Sequence, residues 1–184
     1  MRKVIETERL ILKALDGNKA VMLLNFLIDG SEEFERYETQ KDINYYTVKY
    51  QKQVLSTEYN LMKENKYVRY YVFLKGEPDI IIGTVSFGFF RQFPFASSNI
   101  GYKFLKRYQG NGYASEAIKA AIAEVFRELN HHQIYAYIMP ENEASIKLIE
   151  RLGFSYEGLS KKCLCVRGKW EDHYVYKLLS PYEV

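Results

Sequence analysis

Two stretches of this chain pair residue types with spacings found at helix starts, where an anion can bind. The first is Gln109-Gly110-Asn111-Gly112-Tyr113-Ala114, which stands between a strand-like run and a long helical one. A helix start leaves its first N–H groups without partners and carries a partial positive charge. Glycines let the main chain approach a bulky anion and adopt torsions other residues resist. Gln109 adds a side-chain amide and Ser115 a hydroxyl. This suits a phosphate or pyrophosphate, although a tight structural turn would use the same residues. The second stretch is Asn142-Glu143-Ala144-Ser145, where Asn142 is a good N-cap and Ser145 falls at the third helical position. Read alone, it is a plain cap.

Two well-known nucleotide loops are excluded. No Gly-Lys-Ser/Thr follows Gly110, so the loop is not a Walker A loop. The third glycine of a dinucleotide fingerprint is replaced by Ser115, and too little chain follows for a second nucleotide-binding half. A nicotinamide-dependent oxidoreductase is therefore the weakest of the readings considered.

The elements that must position these residues follow from periodicity. Thr7–Lys13 reads as a first strand, Gly17–Ile28 as a helix capped by Asp16, and Tyr46–Asn65 as a longer helix. Residues 31–42 read as loop or short helix. Strands are expected over Tyr67–Leu74, Ile80–Phe90 and Asn99–Leu105. Ala114, Ala117, Ile118, Ala121, Ile122, Val125, Phe126 and Leu129 recur at helical spacing. Gln133–Met139 is a strand and Asn142–Leu152 a short helix ended by Gly153. Phe154–Val166 and Trp170–Leu179 flank Arg167-Gly168-Lys169 as a closing hairpin. The order predicts an α/β (α+β) fold, with a central mixed, mostly antiparallel sheet and helices on both faces. The strand–helix–strand step from Asn99 to Met139 is its one parallel crossover. Both candidate helix starts then follow strands whose ends open on the same sheet edge. A ligand with a pyrophosphate at one end and amides along its arm could use both.

Length predicts a single domain over 1–184. Nearly half the residues are hydrophobic, with 17 Tyr and 11 Phe, so the chain is globular in composition. A net charge of +3 without a clustered basic face argues against nucleic acid. There is no apolar run of membrane-spanning length and no secretory signal, so no membrane association is expected. Cys163 and Cys165, two apart on a strand, point the same way and read as free thiols. No metal site is expected, and the chain reads as cytoplasmic.

With these residues in view, the chain resembles the GCN5-related N-acetyltransferase (GNAT) superfamily, in particular its branch of ribosomal-protein N-terminal and spermidine acetyltransferases. The resemblance rests on Thr7-Glu8-Arg9-Leu10-Ile11-Leu12, on Ile100–Leu105 with Arg107–Ala114, on Asn142–Phe154, and on Gly168-Lys169-Trp170-Glu171-Asp172-His173. It implies an acyl-CoA N-acyltransferase fold and an acetyl-CoA-dependent transfer of acetyl to a primary amine by direct attack. The amine would be a protein N-terminus, a polyamine or another small amine, and a homodimer is a family-level expectation. A coenzyme-A-binding sensor or assembly module of the same fold is the alternative.

Carried over by position, the resemblance implies that Phe104 and Leu105 offer their main chain to the pantetheine arm where two strands splay. Gln109, Gly110, Asn111, Gly112, Tyr113 and Ala114 would hold the pyrophosphate, and Asn142 would bond the arm from the far side. Lys103, Lys106 and Arg107 are candidates for a 3′-phosphate. Many members place a tyrosine acid four residues before the motif glycine, where this chain has Ile149. Ser145 occupies the position proposed for the acid in the ribosomal-protein branch. The base is left open among Glu35, Glu38, Glu157 and Asp172, because the hairpin position where the branch can carry a glutamate is Leu164. Few clustered acids in the acceptor loops favour a peptide or small-molecule amine over spermidine.

Overall fold

The computed structural model describes residues 1–182, and the last two positions of the expected 1–184 domain lie outside the described residues. Strands β1 (Val4–Glu6) and β2 (Leu10–Lys13) are followed by α1 (Ala20–Asp29), α2 (Ser31–Glu35) and α3 (Val48–Lys63). Next come β3 (Val68–Leu74), β4 (Gly83–Arg91), β5 (Ser97–Phe104), α4 (Tyr113–Leu129) and β6 (Gln133–Ile138). The chain ends with α5 (Glu143–Arg151), β7 (Ser155–Val166) and β8 (Lys169–Leu179). The sheet runs β1-β2-β3-β4-β5-β6-β8-β7. Every pairing is antiparallel except β5 with β6, as the strand–helix–strand spacing requires.

Each face of the sheet carries its own apolar layer. On one face Ala117, Ile118, Ala121 and Val125 of α4 are sealed against Leu10, Leu12, Val72, Val85 and Ile134. On the other, Leu23 and Leu27 of α1 and Leu55 of α3 close over Tyr71, Phe73 and Leu105. Alternate residues of a strand serve opposite layers, so Tyr70 and Val72 go to the first and Tyr71 and Phe73 to the second.

Two boundaries differ from the sequence reading. Val4–Glu6 forms a separate strand against Ile11–Lys13, where one strand from Thr7 was expected. Three residues are too few to show a period. Ile80–Ile82 lies before β4; Ile81 and Ile82 are buried, and Ile82 extends the ladder by donating to the Val72 carbonyl at 2.9 Å and accepting from the Leu105 N–H at 3.0 Å. Residues 31–42 contain the short helix α2, in which Phe34 is the buried anchor. Cys163 and Cys165 are free and half-buried.

Candidate active site

The sheet opens where its single parallel pair ends. β5 and β6 are paired at Ser97, Ser98 and Asn99 against Gln133, Ile134 and Tyr135. Beyond that point β5 stays with β4 to Phe104 while β6 stays with β8 to Ile138, so the two strands part. Leu105 donates its N–H to the Ile82 carbonyl at 3.0 Å, toward β4. Main-chain direction alternates along a strand, so Tyr102 and Phe104 turn their polar groups into the gap. The gap forms part of a cleft of about 900 Å³.

The glycine loop lies at one end of this cleft. Gly110 and Gly112 take φ of +81° and +79°, torsions that cost other residues energy, and α4 begins immediately after. Among the described residues, the N–H groups of Gly110 through Ser115 have no protein acceptor; the next, that of Glu116, reaches the Gly112 carbonyl at 3.1 Å. Six successive donors at a helix start form a cradle for an anion and fit a pyrophosphate.

Residues far away in sequence hold this loop. Thr7 donates its hydroxyl to Glu116 at 2.6 Å. Arg9 donates to Glu116 through its main-chain N–H at 2.9 Å and its Nε at 2.7 Å, and to the Asn111 carbonyl at 3.0 Å. Its guanidinium also covers the Tyr113 ring. Burial by itself would raise the Glu116 carboxyl, but the hydrogen bonds from Thr7 and Arg9 outweigh it and hold the group below its usual range. The sequence showed Thr7, Arg9 and Glu116 without showing that they meet.

The residues singled out from the sequence do not all turn toward the cleft. Phe104, Gln109, Gly110, Gly112, Tyr113, Ala114, Asn142 and Ser145 line it. Leu105 does not fit its expected role. Its N–H is taken by Ile82, its carbonyl accepts from Tyr108 at 2.9 Å, and its side chain is buried against α1. Gln109 folds back, its Nε2 donating to the Phe104 carbonyl at 3.0 Å, so the loop's free donors are main-chain ones. Asn111 braces the turn by donating to the Gln109 carbonyl at 3.2 Å. Lys103 and Arg107 are committed to Glu38 and Asp29, while Lys106 stays exposed at the cleft.

On α5 the cap is made by Asn142, whose Oδ1 accepts the Ser145 N–H at 3.2 Å. The cap is thus made by Asn142 and not by Ser145, whose hydroxyl lies beside the Tyr102 phenol. Ile149 is fully buried in the α4 layer and faces away from the cleft. Tyr102, by contrast, lines the cleft and donates its hydroxyl to the Ser145 carbonyl at 3.3 Å. Burial pushes its phenol well above the usual range, so it stays protonated.

Opposite the α4 layer, the cleft is walled by ion pairs. Lys103 lies over the Phe34 ring and donates to Glu38 at 2.7 Å. Burial pulls the Lys103 ammonium down to about 8, with Glu38 opposing the fall. Burial would raise Glu38, yet Lys103 and Lys41 together keep it below its normal value. Arg69 pairs with Glu58 at 2.8 Å, leaving its buried Nε without a partner. The other carboxylates considered as bases are engaged: Glu35 with the Tyr46 hydroxyl, Glu157 with Lys177 at 2.9 Å, and Asp172 with the Lys162 N–H at 2.8 Å. Among the described residues no cluster suited to a metal ion occurs, and no helix is long and apolar enough to cross a membrane.

A parallel pair that splays beside a glycine-led helix start, within a mostly antiparallel sheet, is the arrangement of a GNAT-type acyltransferase. Residues 9–155 match the acetyltransferase (GNAT) domain family, and the chain belongs to that family. It is similar to a probable N-acetyltransferase, YjcK, of Bacillus subtilis, at 29% identity over 97% of this chain and 98% of the relative. It is also 28% identical to the [ribosomal protein uS5]-alanine N-acetyltransferase of Escherichia coli, over 96% of this chain and 91% of that one. The crystal structure of a ribosomal-protein-S5-alanine acetyltransferase from Vibrio fischeri superposes with a TM-score of 0.90 at 31% identity, covering 97% of both chains. More distant structures of the fold carry coenzyme A or acetyl-CoA. The chain is thus an N-acetyltransferase whose acetyl donor is acetyl-CoA.

Proposed function

We propose that the chain, acting as a single domain, acetylates the α-amine of a protein N-terminus, by direct attack of the neutral amine within a ternary complex. The observation that carries the donor half is the row of six free N–H groups from Gly110 to Ser115, set at the mouth of the β5–β6 gap. Gly110, Asn111, Gly112, Tyr113 and Ala114 hold the pyrophosphate of acetyl-CoA through their main chain. Tyr102 and Phe104 offer ladder groups to the pantetheine arm, as one strand would to its neighbour. Asn142 still has its side-chain amide to give from the opposite wall. An N–H at the strand end polarises the thioester carbonyl as oxyanion donors do.

Ser145 donates its hydroxyl to the departing sulfur. Support comes from its hydroxyl beside the gap, free of any capping role, and from the burial of Ile149, which takes the other candidate position out of the cleft. The acceptor enters from the side of Lys103 and Glu38. The Glu38 carboxylate there is already neutralised by two ammonium groups, which disfavours a polyamine at that carboxylate. Resemblance to two ribosomal-protein-alanine acetyltransferases favours a small first residue on the peptide.

The test is release of coenzyme A thiol with peptides beginning in Ala, Ser and Met, set beside spermidine and an aminoglycoside. Turnover greatest with the Ala peptide is expected. Turnover confined to spermidine or the aminoglycoside would overturn the acceptor reading and leave the donor site standing.

A further inference from the structure

The reaction needs a proton acceptor, because an amine of pKa near 8 to 10 is largely protonated at neutral pH. Each carboxylate considered for the task is held by a partner: Glu38 by Lys103 and Lys41, Glu35 by Tyr46, Glu157 by Lys177 and Asp172 by a main-chain N–H. An anion neutralised by two ammonium groups is a poor base. Glu32 and Glu33 also line the cleft, from the short helix α2, whereas a neutral imidazole can serve as a base from the cleft wall itself.

Of the three histidines, His131 is bonded to Ser98 and stacked edge-on to Phe90, away from the cleft, and His132 is exposed outside it. His173 lies on β8 and lines the cleft. Its neighbours Tyr174 and Tyr176 point into the α4 layer, so His173 points to the other face, the one that carries Lys103. It is only 4% exposed, and its Nδ1 lies 3.1 Å from the carbonyl of Glu171. A carbonyl only accepts, so Nδ1 carries a proton, and in the neutral ring Nε2 carries the lone pair. Nε2 has no protein partner among the described residues, and it is not among the sealed, unpartnered atoms. The little surface this ring exposes therefore includes a free acceptor facing the cleft.

We propose that His173 is the general base of the acetyl transfer, an inference that rests on the acetyl-CoA reading given above. Nε2 takes one proton from the incoming ammonium, directly or through one water, and passes it to solvent. The freed nitrogen lone pair forms the C–N bond at the acetyl carbonyl. The C–S bond breaks with its electron pair on sulfur, and the surplus proton on nitrogen ends on that sulfur. The products are the amide, a free thiol and one released proton. The Glu171 carbonyl fixes the tautomer, as second partners of functional histidines commonly do.

The experiment compares the wild type with His173→Asn and His173→Ala, using acetyl-CoA and the best amine of the panel above. Asn can keep the bond to the Glu171 carbonyl while lacking a base. The expected result is a fall in kcat of about 100- to 1,000-fold, with acetyl-CoA affinity unchanged and added imidazole restoring part of the loss in His173→Ala. Unchanged kcat in a folded His173→Asn protein that still binds acetyl-CoA overturns the inference alone. A wild type that binds no acetyl-CoA overturns the donor reading and the inference with it. Should both variants unfold, nitrogen NMR of the wild-type ring decides. Protonated Nδ1 with bare Nε2 supports the assignment, and the opposite tautomer rejects it.

Discussion

The two walls of the cleft are built from different materials. The proposed donor wall, from Phe104 through the glycine loop to Asn142, presents mainly main-chain N–H and C=O groups whose directions are set by torsion and ladder pairing. The acceptor wall works through side chains, with Lys103, Glu38, Arg69, Glu58 and His173 brought together from β3, β5, β8, α3 and the segment after α2. A main-chain site depends on few side-chain identities, so it tolerates drift in sequence while keeping its ligand. A side-chain site changes its preference with each substitution. One chain can thus keep a common donor and vary its acceptor.

The largest effect expected of this contrast comes from the donor wall's backbone. Gly112→Val forces a β-branched residue into φ +79°, with Arg9 Nη2 already 3.4 Å from the added Cβ. The loop's N–H groups then turn away, and acetyl-CoA affinity should fall roughly 100-fold by calorimetry, because several charge-assisted hydrogen bonds are lost together. Tight binding by this variant would show that side chains, not the main chain, hold the donor. Ser145→Ala comes next. It should lower kcat by about 10- to 100-fold through a lost hydrogen bond to a charged leaving group, while acetyl-CoA affinity stays unchanged in the same titration.

Glu116→Gln tests the support behind the loop and should weaken acetyl-CoA binding by roughly tenfold or less. It also has a pH signature. The folded carboxyl lies below its ordinary value of 4.5, so its contribution to stability is present above that pH and is lost as pH falls through the lower folded value. Acid unfolding followed by circular dichroism should be less steep in the variant. The smallest effect is on the acceptor wall. Lys103 falls from 10.5 to about 8 on folding, so the unfolded chain holds more protons between those values and stability from this group rises with pH across that window. Lys103→Met should flatten that rise in thermal melts taken from pH 8 to 10.5. An unchanged slope would place the ammonium in water rather than beside Glu38.

The contrast also explains what could be read from the chain. Helix α4 announced itself because Ala117, Ile118, Ala121 and Val125 repeat with the helical period and all reach the core. The donor loop was legible because Gly110 and Gly112 precede that helix, and glycine identity there reports torsion directly. Leu105 was misjudged because its apolar type and strand position do not reveal which way an N–H points; pairing with Ile82 decides that. Ser145 was identified as a residue but not distinguished from a cap, since only coordinates show that Asn142 does the capping. Thr7, Arg9 and Glu116 stood in plain view, yet a contact between residues 107 positions apart leaves no local pattern. The acceptor wall was least legible for the same reason. Glu38 reads as a candidate base in the sequence because nothing local shows the two lysines that neutralise it, and the motif around His173 says nothing of which ring nitrogen is engaged.

The central claim is that the backbone of the glycine loop and the open edge of β5 hold acetyl-CoA. Amide NMR during titration with coenzyme A tests it directly. The account predicts large shifts at Tyr102, Phe104 and Gly110 through Ser115, and small ones at Leu105, whose N–H stays with Ile82. Saturable binding that leaves the Gly110–Ser115 amides unmoved while others shift would contradict it.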